Sequence, residues 1–339
     1  MKKLLNQLYI TTDGSYLHKE RETLVVKQNG EKVFQMPLHS VQNIFCFGHI
    51  MVSPGLMAIC GEKGVGISFF TGYGKFQSRL QGPQSGNVLL RRAQYRQADA
   101  NPEKLAKLFV AAKIANARQN LMKHQRNHGR SKILESVITH LAGSLRRLEP
   151  EIDVDKMRGI EGDCAARYFS VFNEMIVESR KKEFEFKGRN KRPPLDRVNA
   201  LLSFSYSLLT HEIASALEGV GIDPYVGLLH ADRPGRLSLA LDLLEELRPW
   251  WCDRFVLTLI NRNQIKHSDF VQEASGAIRM NDETRKAFLT QWQERKQDEL
   301  QHPYTGEKIK IGLLPHIQAI LLAKYFRDDL DNYPPFLSR

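Results

Sequence analysis

Apolar and polar positions along this chain repeat with one period up to about residue 80 and with another after it. In the first stretch the apolar runs are short and β-branched. Leu24-Val25-Val26 and Val33-Phe34 flank Asn29-Gly30, a dipeptide that takes the positive φ values a two-residue hairpin turn requires. Val41 to Phe47 and Ile67 to Phe70 read as further strands. Pro54 to Glu62 reads as a short helix with proline in its first turn, and Gly72-Tyr73-Gly74-Lys75 as a tight turn. Gly64-x-Gly66 precedes a strand instead of opening a helix, so it is no dinucleotide loop.

Gln81 to Asn87, rich in glycine and proline, reads as a linker. Helical periodicity follows. Asn101-Pro102 should cap and open a helix that runs to about His128, where Gly129 breaks it. Further helices are expected over Ser131 to Leu148, Gly159 to Ser179, Leu195 to Leu217, a segment capped by Ser238, Trp250 to Asn261, Asn281 to Leu300 and Leu314 to Leu330. Lys187 to Pro194 and Gln301 to Lys310 read as loops. The expected fold class is α+β: a small β-sheet domain over 1–80, a linker and basic junction over 81–100, and a larger all-α domain over 101–339. No strand, glycine-rich loop and helix follow one another, which excludes Rossmann and P-loop readings.

Charge changes this picture more than composition does. The chain is 42% hydrophobic and 26% charged, ordinary for a globular protein, with a net charge of +11. Between Lys75 and Lys132 stand 13 Lys or Arg but only two acids, Asp99 and Glu103, so this segment carries the whole excess. A block of one sign points to a polyanion. Lys75, Arg79, Arg91, Arg92 and Arg96 lie around the junction, and Arg118, Lys123 and Arg126 continue along the next helix; all are candidate phosphate contacts. Tyr95 and Tyr206 are candidate stacking partners for bases, with burial in a core as the competing reading. The four cysteines form no C-x-x-C pair, which fits a reducing cytoplasm, and no run is apolar enough to span a bilayer.

Chemistry concentrates between Tyr225 and Pro249. A helix starting at Ser238 puts Asp242 and Glu245 one turn apart on one face, and His230 before the Pro234-Gly235 turn is able to fold back toward them. One imidazole with carboxylates suits Mg²⁺ or Mn²⁺; a satisfied core histidine beside a solvated acidic face is the competing reading. Glu161, in Arg158-Gly-Ile-Glu-Gly-Asp163, sits between two glycines at an expected helix start. A carboxylate there is either a helix cap or a ligand aimed at a cleft; Asp163 suits the start itself by type, which leaves Glu161 free for other work. Arg248 is placed to pair with one of the carboxylates.

These motifs resemble the CRISPR-associated spacer integrase, the first-numbered universal Cas protein, and most of all members from type I systems of subtype C. The likeness rests on Gly159-Ile-Glu161-Gly, on Leu195 to Tyr206, on Gly221 to His230 and on Ser238 to Pro249, and it covers essentially the whole chain. It implies metal ligands at Glu161, His230 and Glu245, with the division of roles between Glu245 and Asp242 open. It implies a homodimer made through the β domain and a heterohexamer with a small ferredoxin-like partner, the second-numbered Cas protein. The implied substrates are double-stranded and branched DNA, and the implied reaction joins a 3′-hydroxyl to a repeat phosphodiester. A non-catalytic DNA-binding scaffold and a plain structure-selective nuclease are the alternatives.

Overall fold

Asn29 and Gly30 both take positive φ, +50° and +85°, and between them turn β3 (Thr23–Gln28) into β4 (Glu31–Pro37) as an antiparallel hairpin. A computed structural model describes residues 7–41, 43–72, 76–80, 82, 87–190 and 193–338. Of the expected turn at Gly72 to Lys75 only Gly72 lies among these, and most of the expected linker at 81–87 lies outside them. The chain divides into two compact units.

The first unit holds two four-stranded sheets. One runs β4–β3–β2–β6, with β2 at Tyr16–Glu20 and β6 at Met51–Val52. The other runs β1–β5–β7–β8, from Gln7–Ile10, Asn43–Phe47, Gly66–Phe70 and Phe76–Leu80. In the latter, β1, β5 and β7 pair in parallel and β8 antiparallel. Helix α1 (Pro54–Lys63) begins at Ser53, whose hydroxyl accepts from Leu56 N, and its Leu56 joins Leu17, Leu24, Val26, Ile44 and Cys46 in the core. Edge strand β4 is exposed along most of its length, with Val33 at 52% and Phe34 at 43% exposure.

The second unit starts earlier than the expected domain 101–339. Val88–Ala100, inside the expected junction, forms helix α2 because Asn87 accepts from Leu90 N at its start and Leu90 buries a first apolar anchor. It is followed by α3 (Pro102–His128), α4 (Lys132–Leu148), α5 (Val154–Ser170), the single turn α6 (Glu178–Lys181), α7 (Arg197–Val220), α8 (Ser238–Leu247) and α9 (Arg254–Asn261). The ribbon β9 (Phe270–Gln272) with β10 (Ile278–Met280) comes next. Helix α10 (Asp282–Gln297) belongs to the first unit, where Arg285 donates to Gly72 O and Gln293 to Gln7 O. The sequence shows α10 as an ordinary amphipathic helix; only tertiary packing sends it back to the sheets. Strands β11 (Glu299–Gln301), which takes up the end of the expected helix, and β12 (Lys308–Lys310), at the end of the expected loop, pair across that loop, and α11 (Leu314–Phe326) closes the series. The mixed class therefore stands, as sheets followed by a helical region that also carries two small ribbons. Among the described residues no helix is long and apolar enough to cross a membrane.

Helix α3 is the axis of the second unit, packed against α4, α5 and α8. Its buried stripe includes Phe109, Val110, Ala117 and Leu121, but also Lys113, Asn116 and Asn120. Both asparagines serve backbone. Asn116 donates to Glu246 O and Phe336 O, and Asn120 donates to Pro249 O at 2.5 Å. They sit where α8 gives way to a π-helical turn, Pro249–Asp253, and such turns leave carbonyls that need side-chain partners.

Candidate metal centre

Four segments of the second unit meet at one place: α3, α5, α8 and the loop after α7. Helix α5 starts at Val154, where Asp153 accepts from Asp155 N and Lys156 N. Glu161 is thus two turns inside the helix and not at its start, a correction to the sequence reading. The flanking glycines serve no close approach, since an added Cβ at Gly159 or Gly162 would meet nothing within 4 Å. The helix ends at Ser170, nine residues before Ser179.

Helix α7 stops at Gly221, which adopts φ +90° so that Gly221 N and Ile222 N bond back to Glu218 O and Leu217 O. The chain then runs back across α2, where Gln94 accepts from Asp223 N and donates to Asp223 O and Val226 O. Gly227 is obligatory: a Cβ there would lie 2.5 Å from His230 O and 2.7 Å from Ser238 Cβ. Arg158 on α5 donates to Leu229 O at 3.0 Å, so two helices hold the loop that delivers His230.

Helix α8 begins at Ser238, but Ser238 is its first residue and not its cap. The Ser238 hydroxyl donates to Ala231 O, and Pro224 O accepts from Leu239 N and Ala240 N in the cap's place. Asp242, fully buried, accepts from the backbone N–H groups of Leu228, Leu229 and His230 at 2.7, 2.9 and 2.9 Å, and its Oδ1 lies 2.6 Å from His230 Nδ1. Both its oxygens are occupied. Asp242 therefore positions His230, and a carboxylate on Nδ1 keeps the proton there, leaving Nε2 with a free lone pair. That Nε2 faces Glu245 Oε1 at 3.9 Å.

Glu245 and Glu161 are joined through Lys113. Its ammonium contacts Glu161 Oε1 and lies 2.6 Å from Glu245 Oε2. Glu245 Oε2 is buried and receives no hydrogen bond of good geometry; the ion pair with Lys113 is its contact. Arg248 Nη1 approaches Glu245 Oε1 at 3.3 Å while its guanidinium stacks 5.2 Å over the Tyr206 ring. Burial would raise the Glu245 carboxyl, but Arg248 and Lys113 outweigh it and hold the group well below the usual range. Glu246, one residue on, faces the other way. It accepts from Tyr333 Oη, Gln318 Nε2 and Phe336 N, and burial pushes its carboxyl up to about 7.

Lys113 joins Glu161 to Glu245, and His230 Nε2 stands 3.9 Å from the other Glu245 oxygen, with Asp242 behind the histidine. By type, two carboxylates and one imidazole suit a small hard divalent ion, and an ammonium already stands between the two carboxylates. Lys113 was missed from sequence, where it counted only as one more charge in the basic block. Its signal is position: it falls on the apolar stripe of α3. A small, mostly apolar cavity is lined by Lys113, Ile114, Leu141, Tyr168, Arg248 and Asp253 among others.

A separate grouping brings a nitrogen of His140, a carboxylate oxygen of Asp163 and the Cys164 sulfur within 4.8 Å of one another. Arg147 and Arg167 also approach that aspartate, at 3.5 and 3.9 Å.

The candidate phosphate contacts are spread out. Arg92 and Arg96 on α2 and Lys123 and Arg126 on α3 are exposed; Arg79 on β8, Arg91 on α2 and Arg118 on α3 are half-buried, and Arg118 donates to Ile138 O. Lys75 lies outside the described residues. Tyr206 is buried with its hydroxyl on Asp253, so the core reading wins for it; Tyr95 is exposed and donates to Asp223.

A family model described as CRISPR associated protein Cas1 matches residues 8–294. A CRISPR-associated endonuclease Cas1 of Chlorobaculum tepidum is 50% identical over 344 residues, covering 100% of both chains. Among solved structures, a casposase bound to integration product superposes with a TM-score of 0.84 at 20% identity, covering 99% of this chain and 96% of that one. A Cas6-RT-Cas1–Cas2 complex gives 0.84 at 20% identity, covering 100% of this chain and 37% of that one.

Proposed function

Because the chain belongs to the Cas1 family of CRISPR-associated proteins, we propose that it joins the 3′-hydroxyl end of a short DNA to a phosphodiester of a repeat. Glu161, His230 and Glu245 would hold the Mg²⁺ or Mn²⁺ ion. The observation that supports this reading is Glu245 on α8, which shares the Lys113 ammonium with Glu161 on α5 and faces His230 Nε2 of the α7–α8 loop at 3.9 Å. A scaffold that only binds DNA has no use for it.

When bound, the ion polarises the scissile phosphate and steadies the charge that develops on it. The protein contributes placement. Asp242 holds the imidazole by one hydrogen bond and its backbone loop by three more, so Nε2 is presented without rotamer search. Arg248, clamped on Tyr206, fixes Glu245. The nucleophile is the substrate's own hydroxyl, consistent with thiols that burial pushes up and out of reach, Cys164 and Cys252. Exposed Arg92, Arg96, Lys123 and Arg126 supply phosphate affinity that is independent of sequence. Apolar Val33 and Phe34 on the exposed edge strand β4 suit pairing with a second copy of the chain. The small ferredoxin-like Cas2 protein is the proposed partner of two such dimers, by likeness to the Cas1–Cas2 complex. The motifs Gly221 to His230 and Ser238 to Pro249 favour a type I, subtype C origin.

The test incubates the protein, that partner, Mn²⁺ and a 3′-hydroxyl duplex with supercoiled plasmid bearing the repeat. Covalent joining is expected, lost with a 3′-deoxy end and with His230→Ala. Cleavage with no joined product would make the protein a structure-selective nuclease; joining by His230→Ala at the wild-type rate would make His230 a core histidine.

A further inference from the structure

Lys113 is almost fully buried, at 7% side-chain exposure, yet its ammonium bridges Glu161 and Glu245. Those are two of the three proposed ligands of the ion, and the role of Lys113 rests on that reading of the site. Ammonium and ion would claim the same oxygens. We propose that Lys113 is a resident counter-cation: it keeps the ligand carboxylates together, and an entering divalent ion displaces its head group.

Three features of the site support a displaceable lysine. The first is the contrast with Arg248. The guanidinium is fixed by its stacking on Tyr206, 5.2 Å from the ring, and by Glu245, whereas a lysine head is a point charge on a four-carbon stem that rotates freely. The second is a neighbouring acid: Asp253 lines the same small cavity as Lys113. The third is charge. Lys113 and Arg248 already stand against the charges of Glu161 and Glu245, so an entering divalent ion competes with the ammonium for the same oxygens. An isolated pair of facing carboxylates would repel and splay. The ammonium holds them at the spacing the ion needs, and in exchange it sets how much ion is required to enter.

Two measurements test this. The wild-type protein is acetylated with an N-hydroxysuccinimide ester, with and without saturating Mg²⁺, and Lys113 is quantified by peptide mass spectrometry. Labelling of Lys113 is expected to rise several-fold with Mg²⁺; unchanged or reduced labelling overturns the proposal. This arm needs no variant. In the second, free Mn²⁺ is titrated by electron paramagnetic resonance against wild type, Lys113→Met and His230→Ala. Lys113→Met should bind Mn²⁺ about tenfold or more tightly than wild type, where a residue of merely structural importance would weaken binding on removal. If wild type binds Mn²⁺, His230→Ala loses it and Lys113→Met binds no tighter, the ligand reading stands and the Lys113 proposal falls. If neither wild type nor Lys113→Met binds Mn²⁺, both fall.

Discussion

Asp242→Asn is the substitution that separates holding the histidine from touching the ion. Asp242 accepts four hydrogen bonds with two oxygens, from three backbone N–H groups and from His230 Nδ1. Asparagine keeps one oxygen and turns an NH₂ toward donors. If the oxygen stays with His230, Leu228 N and Leu229 N lose their acceptor in a fully buried place. A buried donor left unpaired costs about 1–3 kcal/mol, so the pair costs about 2–6 kcal/mol before relaxation. Shifting of the 222–230 loop will recover part of this, and about 3 kcal/mol is the expected net loss. At roughly 2–4 °C per kcal/mol for a unit of this size, melting should fall by about 6–12 °C. The looser imidazole should weaken Mn²⁺ binding by about 10–100-fold, while duplex affinity, carried by surface arginines and lysines, stays near wild type. Scanning calorimetry, Mn²⁺ titration and fluorescence anisotropy read the three quantities. Unchanged melting and unchanged Mn²⁺ affinity together would refute the role given to Asp242.

Replacing both Arg92 and Arg96 with alanine should lower the magnitude of the log–log salt slope of duplex binding by about two units; an unchanged slope puts them outside the DNA path. Changing Val33 and Phe34 to glutamate should convert a dimer to a monomer in light scattering, with unchanged circular dichroism; a persistent dimer moves the interface elsewhere. The Glu246 carboxyl is raised to about 7 by burial from an ordinary 4.5, so the folded state retains a proton the unfolded chain gives up. Its contribution is therefore full below about pH 4.5 and is lost as pH rises to 7, by about 3 kcal/mol. Burial likewise raises Asp253 from 3.8 to about 6, which adds the same sign at slightly lower pH. Chemical denaturation across pH 4–8 should show stability falling through this window, with a smaller fall in Glu246→Gln; a rise in the wild type would contradict the assignment.

Local signals survived folding well. Asn29-Gly30 made the hairpin, Pro54 opened α1 and Asn281 capped α10, since each acts through atoms within a few residues. Glu161, His230 and Glu245 stood out as candidates because each stands in a distinctive short motif. What the sequence hid depends on distance. Nothing local sends α10 back to the sheets, because Arg285 and Gln293 find their partners more than two hundred residues away. The start of α5 was misplaced because two glycines at 159 and 162 resemble a boundary, while Asp153, the true cap, lies six residues before the first of them. Asp242 and Glu245 share a helix and a charge, and only the returning loop, with its three N–H groups, tells the holder of the histidine from the residue that faces Glu161. Lys113 was hidden in plain sight: a charge count treats it as surface, and its place on the apolar stripe of α3 is what marks it as part of the site.

Whether Glu161, His230 and Glu245 hold a single divalent ion is decided by anomalous diffraction from crystals grown with Mn²⁺. One strong peak is expected among Glu161, His230 Nε2 and Glu245, with Asp242 still bonded to Nδ1. A peak at His140, Asp163 and Cys164 instead, or none near Glu245 at saturating Mn²⁺, would contradict the assignment of these ligands.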